Sequence, residues 1–369
     1  MPGSRPRRLP LSTYRLQLGR DFGFREAADL VPYLAELGVT ECYCSPIFAA
    51  RPDSTHFYDV VDHGRLSEEL GGVEGFVTLV RALRSNDVGL LLDFVPNHVA
   101  ADASANSWWR SVLENGPSSP YASFFDIEWD PIKPELKGRL LLPILGDQYG
   151  VALEAGRIGL VLGPEGLSLR YFDHDLPLNP RQLRILLQHD LGELERTLSP
   201  GDPDFIEFQS VLFHLEHLPV YTSTNLDQID ARRREKGIAL GRLQALMEHS
   251  ASVRGHVEQI VAVFNGTPGV PASFDLLHRL LEAQPYRLAA WRTAMHEINY
   301  RRFFDVNELV GLRQEEPAVF DATHRLLTEL VADQSVTGVR LDHVDGLFEP
   351  GDYLARLANR LGEGGPVWI

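Results

Sequence analysis

Apolar and polar residues follow two different periods along the first part of the chain. Residues 12–18 alternate apolar and polar side chains, which is typical of a strand. Residues 24–38 carry apolar side chains at helical spacing and end at a glycine, although Pro32 within them indicates a kink or a late start. Residues 39–45 return to a strand pattern just before a proline. The order strand, helix, strand is therefore predicted.

A second helix and a buried strand follow this unit. Residues 73–83 place apolar side chains on one helical face, and residues 88–94, VGLLLDF, form an almost continuous apolar run. Such a run is typical of a parallel strand that is covered on both faces. The repeated alternation of strand and helix indicates an α/β fold, either a barrel or a doubly wound sheet.

This alternation stops after residue 94 and returns only near residue 336. The intervening segment is first mixed and turn-rich and then mainly helical, and it is too long to be a plain loop. After a strand at 336–342, we expect a helix with Asp352 as its N-cap and Gly362 as its end, and then the start of a fifth strand at 366–369. The predicted parts are a first barrel part at 1–94, a mixed α/β insertion at 95–180, a mainly helical insertion at 181–330 and a last barrel part at 331–369.

The composition narrows the functional classes. Of 369 residues, 44% are hydrophobic and 23% are charged, which is ordinary for a globular protein, and the formal net charge is -16. Basic residues are not concentrated along one segment, so we expect no nucleic-acid partner. An acidic surface is compatible with a neutral substrate.

The sequence also bears on the compartment. No uninterrupted apolar run is long enough to cross a membrane, and no apolar segment follows the basic residues near the start. We therefore expect neither a membrane span nor a secretory signal, and we predict a cytoplasmic protein. Cys42 and Cys44 are too close in sequence to form a sensible disulfide bridge, so they are predicted to be reduced core residues.

Polar and ionisable side chains follow three of the predicted strands at the point where each strand ends. In a parallel barrel these carboxyl ends converge on one face, where active sites lie. We therefore predict one shared site at this face. The candidates are His56, Tyr58, Asp59, Asp62 and His63 after the second strand, Asp93, Asn97 and His98 after the third, and Arg340, Asp342, His343 and Asp345 after the fourth.

Several of these segments resemble a known family. DFVPNH at 93–98, GVRLD at 338–342 and THFYD at 55–59 resemble signature regions of the alpha-amylase superfamily of glycoside hydrolases. Longer stretches, among them LLPILGDQYG, EINYRRFFDVNELVGLRQ and RLDHVDGL, are similar to the maltooligosyl trehalose synthases within it. The likeness runs from about Ser12 to the last residue. One departure is Phe57, where that family usually has glycine, and we expect it to crowd the mouth of the site.

The resemblance implies a fold. The chain would form part of a (β/α)8 TIM barrel, namely its first four strands and the start of the fifth. The mixed and helical insertions would lie between the third and fourth strands.

The resemblance also implies roles for the candidate residues. A retaining glycosidase needs a carboxylate nucleophile, and Asp342 matches that position, with Arg340 two residues earlier on the same strand face to orient it. Tyr58 would stack on the glucosyl ring at the cleavage point, and His98 would bind its hydroxyl groups. The other residues expected at the substrate-binding face, some of which would brace their loops, are Asp59, Asn97, Asp93, His56, His343 and Asp345.

The implied reaction converts the reducing-end α-1,4 linkage of a maltooligosaccharide into an α,α-1,1 linkage by intramolecular transglycosylation. A maltooligosaccharide or glycogen-derived α-1,4-glucan is the expected substrate, without a metal or another cofactor. The covalent sugar must meet the retained glucose before it meets water, so the site should be closed and poor in water. The long insertion could supply its walls.

Three other functions stay open at this point. A hydrolytic amylase would use the same Asp342. A catalytically incomplete glucan-binding fragment would fit a chain of this length. A metal-dependent hydrolase on the same barrel would use His56, His63 and His98 as ligands.

The sequence further predicts that the chemistry is completed elsewhere. The family's general acid is a glutamate on the fifth strand, which would follow Ile369. Loss of a general acid typically costs about 10²–10⁴-fold in rate. We therefore expect the 369 residues alone to be inactive and, because of open strand edges, poorly soluble. We expect a C-terminal part of the same enzyme to complete them.

Overall fold

The structure is a computed structural model that describes residues 10–362, and their contacts divide them into two units. Unit 1 comprises residues 10–106, 123–126 and 301–362. Unit 2 comprises residues 107–122 and 127–300. The predicted fifth-strand start at 366–369 lies outside the described residues.

The chain begins in unit 1, passes through unit 2 and returns to unit 1. The first part of unit 1 forms β1 (Thr13–Leu16), α1 (Phe24–Glu36), β2 (Glu41–Cys44), β3 (Phe48–Ala50), β4 (Val60–Leu66), α2 (Gly72–Ser85), β5 (Gly89–Phe94) and β6 (His98–Ala100). Unit 2 forms α3 (Ser107–Asn115), β7 (Leu140–Leu145), α4 (Tyr149–Glu154), β8 (Ile158–Gly163), β9 (Gly166–Tyr171), β10 (His174–Pro177), α5 (Leu183–Leu187), α6 (Leu191–Leu198), α7 (Pro203–His217), α8 (Leu226–His249), α9 (Ala251–Phe264), α10 (Asp275–Glu282), β11 (Tyr286–Ala290) and α11 (Ala294–Glu297). The last part of unit 1 forms β12 (Arg302–Phe303), β13 (Val306–Gly311), α12 (Pro317–Ala332), β14 (Gly338–Leu341) and α13 (Pro350–Gly362).

A four-stranded parallel sheet in the order β1-β2-β5-β14 forms the centre of unit 1. Its strands are the four that the sequence pattern predicts, and the register places Arg340 beside Asp93. This confirms the α/β class and is consistent with a partial barrel. The eight-stranded closure stays a prediction, as do the part boundaries after residues 94, 180 and 330.

The apolar faces of the helices in unit 1 form one core with this sheet. Phe24, Leu34, Leu79, Leu92 and Phe94 are fully buried in it. Burial of such side chains stabilises a fold by about 1.5–3 kcal/mol each. Both cysteines are free and buried in the same core, as predicted.

Two helix boundaries show how proline acts in this chain. Pro32 lies within α1 without ending it, and the chain turns at Gly38, whose φ is +84°. The helix expected to have Asp352 as its N-cap starts earlier, at Pro350, so that prediction is wrong. Proline has no amide hydrogen to leave unpaired and is therefore favoured in the first turn of a helix.

The segments that follow β2 and β5 in the chain form antiparallel strands, which the sequence pattern did not predict. β3 pairs with β4, and a second sheet has the order β12-β13-β6. In that sheet His98 lies opposite Gly311. These pairings hold the segments after β2 and after β5 in fixed places, so that their side chains have defined neighbours.

Unit 2 combines small sheets with helices. β8, β9 and β10 form an antiparallel sheet, and β7 pairs in parallel with β11. The long helices α7, α8 and α9 contact one another. No helix within residues 10–362 is both long enough and apolar enough to span a bilayer.

Candidate active site

The buried carboxylate of Asp93 is the centre of a polar cluster at the carboxyl end of the parallel sheet. Asp93 lies near the end of β5 and its side chain is fully buried. Its Oδ2 accepts hydrogen bonds from the hydroxyls of Tyr43, at 2.7 Å, and Tyr58, at 2.6 Å. Its Oδ1 accepts one from Arg340 Nη1 at 2.9 Å. A buried carboxylate needs such partners, and these three fix its position.

Arg340 joins this buried carboxylate to Asp342. Arg340 Nη1 also donates to Asp342 Oδ1 at 2.6 Å. Both residues come from the end of β14, two positions apart, so their side chains lie on one face. Burial opposes the charge of Arg340, but the hydrogen bonds to Asp93 and Asp342 outweigh it and raise its pKa above the ordinary value. Arg340 is therefore a permanent cation that holds one oxygen of Asp342 in place.

Tyr58 is held by hydrogen bonds at its hydroxyl. Besides its bond to Asp93, that hydroxyl accepts a hydrogen bond from Arg15 Nη2 at 3.2 Å. Burial and the contact with Asp93 raise the pKa of Tyr58 above its ordinary value, so the side chain stays neutral. The loop that carries Tyr58 is closed by a bond from its amide to His56 Nδ1 at 3.1 Å.

His98 is buried near Tyr58, next to this cluster. It is 1% exposed, and its Nε2 has no hydrogen-bond partner among the residues that the structure describes. Burial, with a smaller effect of His343, lowers the pKa of His98 to about 3, so the ring is neutral at pH 7. The neutral ring is shielded from solvent and lies near the backbone of Tyr58.

Asn97 braces the loop that carries His98. Its Oδ1 accepts a hydrogen bond from Arg301 Nη1 at 2.6 Å. Arg301 also donates to the carbonyl groups of Leu312, at 2.6 Å, and Gly346, at 3.2 Å. One guanidinium group thus connects the loops that follow β5 and β14.

Aromatic rings extend from His98 along one side of the cluster. The ring of Phe303 lies 4.4 Å from that of His98 and 4.8 Å from that of His343. Phe304 lies 4.9 Å from the His343 ring and is 70% exposed. Phe303 thus connects the ring of His98 with the ring of His343, the residue that directly follows Asp342 in the chain.

Three predicted residues, His56, Asp59 and Asp345, have contacts mainly with their own loops. Asp59 accepts a hydrogen bond from Ser54 and lies 3.9 Å from His56 Nδ1. Asp345 is 85% exposed at its side chain and lies 3.4 Å from His343. Their roles toward a ligand stay predictions.

Sequence reasoning missed Tyr43, Arg15, Arg301 and Phe303. Tyr43 and Arg15 are at inner positions of β2 and β1, and the Arg15 guanidinium lies over the Tyr43 ring at 5.4 Å. Tyr43 lies between the apolar residues Cys42 and Cys44 of β2, which was an available signal for it, whereas Arg15 lies on a mostly exposed strand and carried none. Arg301 and Phe303 carried no comparable local signal.

The histidines that the sequence suggested as metal ligands lie in different surroundings. His63 is fully buried in the core, with Nε2 2.8 Å from the carbonyl of Val95, and burial lowers its pKa to about 4. His56 is instead half exposed at its side chain. Across residues 10–362, no group of three or more His, Cys, Asp or Glu is arranged to hold a metal ion.

The geometry defines what the cluster can do. Asp342 is a carboxylate that is 17% exposed at its side chain and oriented by a cation, which suits attack on an electrophilic carbon. The Tyr58 side chain is partly exposed, so it can contact a polyhydroxylated ligand at this cluster.

Comparison with known proteins adds three findings. Residues 26–148 match the family model "Alpha amylase, catalytic domain". The putative maltooligosyl trehalose synthase of Mycobacterium tuberculosis is 35% identical over 366 residues, which are 97% of this chain and 34% of that protein. The intracellular maltogenic amylase of Bacillus subtilis is 38% identical over 104 residues, 28% of this chain and 17% of that protein.

A solved structure shows the same similarity. The maltooligosyltrehalose synthase from Arthrobacter ramosus aligns with a TM-score of 0.65 and 33% identity, covering 98% of this chain and 34% of that one. The chain thus spans about one third of the length of the relatives it matches.

Proposed function

We propose that this chain, which is similar to the maltooligosyl trehalose synthases of the alpha-amylase superfamily, carries the nucleophile of such an enzyme. The observation that supports this most strongly is the chain of hydrogen bonds from Asp93 through Arg340 to Asp342. The substrate would be an α-1,4-linked maltooligosaccharide.

In the proposed first step, a carboxylate oxygen of Asp342 attacks the anomeric carbon at the reducing-end linkage. A carbon–oxygen ester bond forms as the glycosidic bond breaks, and the released glucose takes a proton on its O4. Arg340 would keep the carboxylate oriented during this attack, because it holds Oδ1 at 2.6 Å. Asp93 in turn holds Arg340, so the nucleophile is preorganised by a buried group.

The neighbouring side chains would position the sugar. The Tyr58 ring, fixed at its hydroxyl by Asp93 and Arg15, offers a face for the apolar side of a glucosyl ring. His98 would form a hydrogen bond to a sugar hydroxyl through Nε2, which is otherwise a buried nitrogen without a partner among the described residues.

In the proposed second step, the anomeric hydroxyl of the retained glucose attacks the ester-bound carbon and loses its proton. The bond to Asp342 breaks and an α,α-1,1 linkage forms, so the product has the mass of the substrate. We assign the proton donor and acceptor to a carboxylic acid in the part of the relatives' length that this chain does not span.

The role of Asp342 can be tested on the chain itself. A glucosyl fluoride releases fluoride without needing a proton donor, so labelling does not depend on the general acid. The chain is incubated with 5-fluoro-α-glucosyl fluoride, and its peptides are analysed by mass spectrometry. We expect one glucosyl ester on the peptide with Asp342, absent from Asp342→Asn and retained in the control Asp352→Asn, whose exposed carboxylate lies in the first turn of α13. Label on a different carboxylate, or on none, would contradict the proposal.

The reaction can be tested in a hybrid in which this chain replaces the matching third of the Arthrobacter ramosus protein. With maltopentaose we expect loss of reducing ends at constant mass, abolished by Asp342→Asn. Release of glucose and maltose as main products would favour the hydrolytic alternative instead.

A further inference from the structure

Two hairpins of this chain share an unusual turn. Residues 170–173 and 302–305 read arginine, aromatic residue, phenylalanine, aspartate. The strand registers leave a two-residue turn in each hairpin, Phe172–Asp173 between β9 and β10 and Phe304–Asp305 between β12 and β13. Both phenylalanines lie in the left-handed backbone region, with φ of +48° and +49°.

Local stability does not explain a phenylalanine at this position. The first residue of a two-residue hairpin turn favours glycine or asparagine, because bulky side chains are strained at positive φ. Burial does not compensate, since Phe172 is 68% and Phe304 is 70% exposed. An exposed aromatic ring on a strained turn is a reason to look for a ligand.

The two rings differ in their neighbours. The Phe172 ring contacts Tyr171, with centroids 4.8 Å apart. The Phe304 ring contacts Phe303 at 4.6 Å and His343 at 4.9 Å. Since Phe303 lies against His98, and His343 directly follows Asp342, only Phe304 is the exposed end of a row of rings that begins in the candidate active site.

The groups next to Phe304 suit a polyhydroxylated ligand. Arg302 donates hydrogen bonds to Asn307 and to the carbonyl of Asp305. Arg302 and Asn307 thus lie in the same hairpin as the exposed ring and are held by each other. An exposed aromatic face in a hairpin that also carries charged and amide side chains fits the apolar face and equatorial hydroxyls of a pyranose better than it fits an extended apolar partner.

We propose that Phe304 is a stacking platform for a further glucosyl ring of an α-1,4-glucan, beyond the ring that reacts with Asp342. The inference rests on the proposed function and extends it, because it assigns a determinant of chain-length preference. The ring is 70% exposed, so a sugar can reach it.

The test compares Phe304→Asn with the matched control Phe172→Asn in the full 369-residue chain. Asparagine tolerates positive φ, so both variants should melt at or above the temperature of the unaltered protein. In titration calorimetry with maltopentaose, we expect Phe304→Asn to bind about tenfold more weakly, as the loss of one aromatic contact implies. Phe172→Asn should bind as the unaltered protein does.

A second pair separates the ring from the backbone. Phe304→Trp and Phe304→Leu keep a bulky residue at the same φ, and only tryptophan keeps an aromatic face. We expect tryptophan to retain maltopentaose binding and leucine to lose it. Equal binding by these two variants, unchanged binding by Phe304→Asn, an equal loss in Phe172→Asn, or no binding by the unaltered chain would each overturn the inference.

These outcomes differ from a failure of the proposed function. The unaltered chain labelled at Asp342 by the glucosyl fluoride, together with unchanged maltopentaose binding by Phe304→Asn, would remove the platform and keep the nucleophile. Absence of label at Asp342 would remove the proposed function, whatever Phe304 does.

Discussion

Replacing Arg340 by methionine should destabilise unit 1 more than replacing Asp342 by asparagine. Methionine keeps most of the apolar stem but removes the charge that faces the buried carboxylate of Asp93. Breaking a fully buried ion pair typically costs about 3–5 kcal/mol, because one charge stays buried without its partner.

The structure places the cost somewhat below that range. The Arg340 side chain is 43% exposed, so solvent already screens part of its interaction with Asp93. The hydroxyls of Tyr43 and Tyr58 also remain on Oδ2 in the variant. We therefore expect Arg340→Met to lower the free energy of unfolding by about 2–3 kcal/mol. Asp342→Asn should cost about 1 kcal/mol or less, because the amide oxygen can still accept from Arg340.

Hydrogen exchange followed by mass spectrometry can measure both effects within unit 1. Amides of β5 exchange only after opening of the central sheet, so their protection reports its free energy. The double variant Arg340→Met with Asp93→Asn should recover part of the loss, because the buried charge is removed too. Equal losses for Arg340→Met and Asp342→Asn would refute the reasoning, since Asp93 would then not be what anchors Arg340.

Three further predictions concern buried groups of the same unit. Burial lowers the pKa of His324 to about 3 from 6.5, so the unfolded state binds more protons between these values, and stability is lost as the pH falls below 6.5. When the pH falls from 7.5 to 5.0, the free energy of unfolding measured by hydrogen exchange should decrease by about 2 kcal/mol less in His324→Gln than in the unaltered protein. Equal decreases in the two proteins would contradict this prediction. A Cβ at Gly89 would lie 1.7 Å from Glu41 Oε2, at the end of a buried side chain that would have to shift, so Gly89→Ala should cost about 1–3 kcal/mol, and an unchanged melting temperature would exclude the predicted clash. Phe57 has a φ of +65° but is 1% exposed, so the cavity left by Phe57→Gly, at about 3–5 kcal/mol, should outweigh the relieved strain of about 1–3 kcal/mol. A higher melting temperature of Phe57→Gly would show that strain dominates.

Phe57 shows what the family pattern predicted correctly and what it did not. Glycine is usual there in the resembling family, and the positive φ supplies the physical reason. The expectation of a crowded mouth does not match the contacts, because the Phe57 ring is buried in the core of unit 1. The ring is thus part of the packing beneath the Tyr58 loop.

The sequence by itself determined the elements with strong periodicity and the placement of Asp93, Arg340 and Asp342. Parallel strands that are covered on both faces must be apolar. The apolar run before Asp93 and the next parallel strand, near residue 338, could therefore be recognised from the sequence alone. Charged residues at the ends of such strands point to a common edge, whatever lies between them. That is why residues 247 positions apart could be assigned to one site.

Only the tertiary structure decided which neighbours complete that site. The pairing of β6 with β13 and the bond between Arg301 and Asn97, 204 residues apart, have no local signature. The same holds for the two tyrosine hydroxyls that share one oxygen of Asp93. A hydrogen bond or a ring contact depends on distances below about 5 Å between segments that are remote in sequence. Periodicity fixes which face of a strand a residue lies on, whereas packing alone fixes what that residue touches.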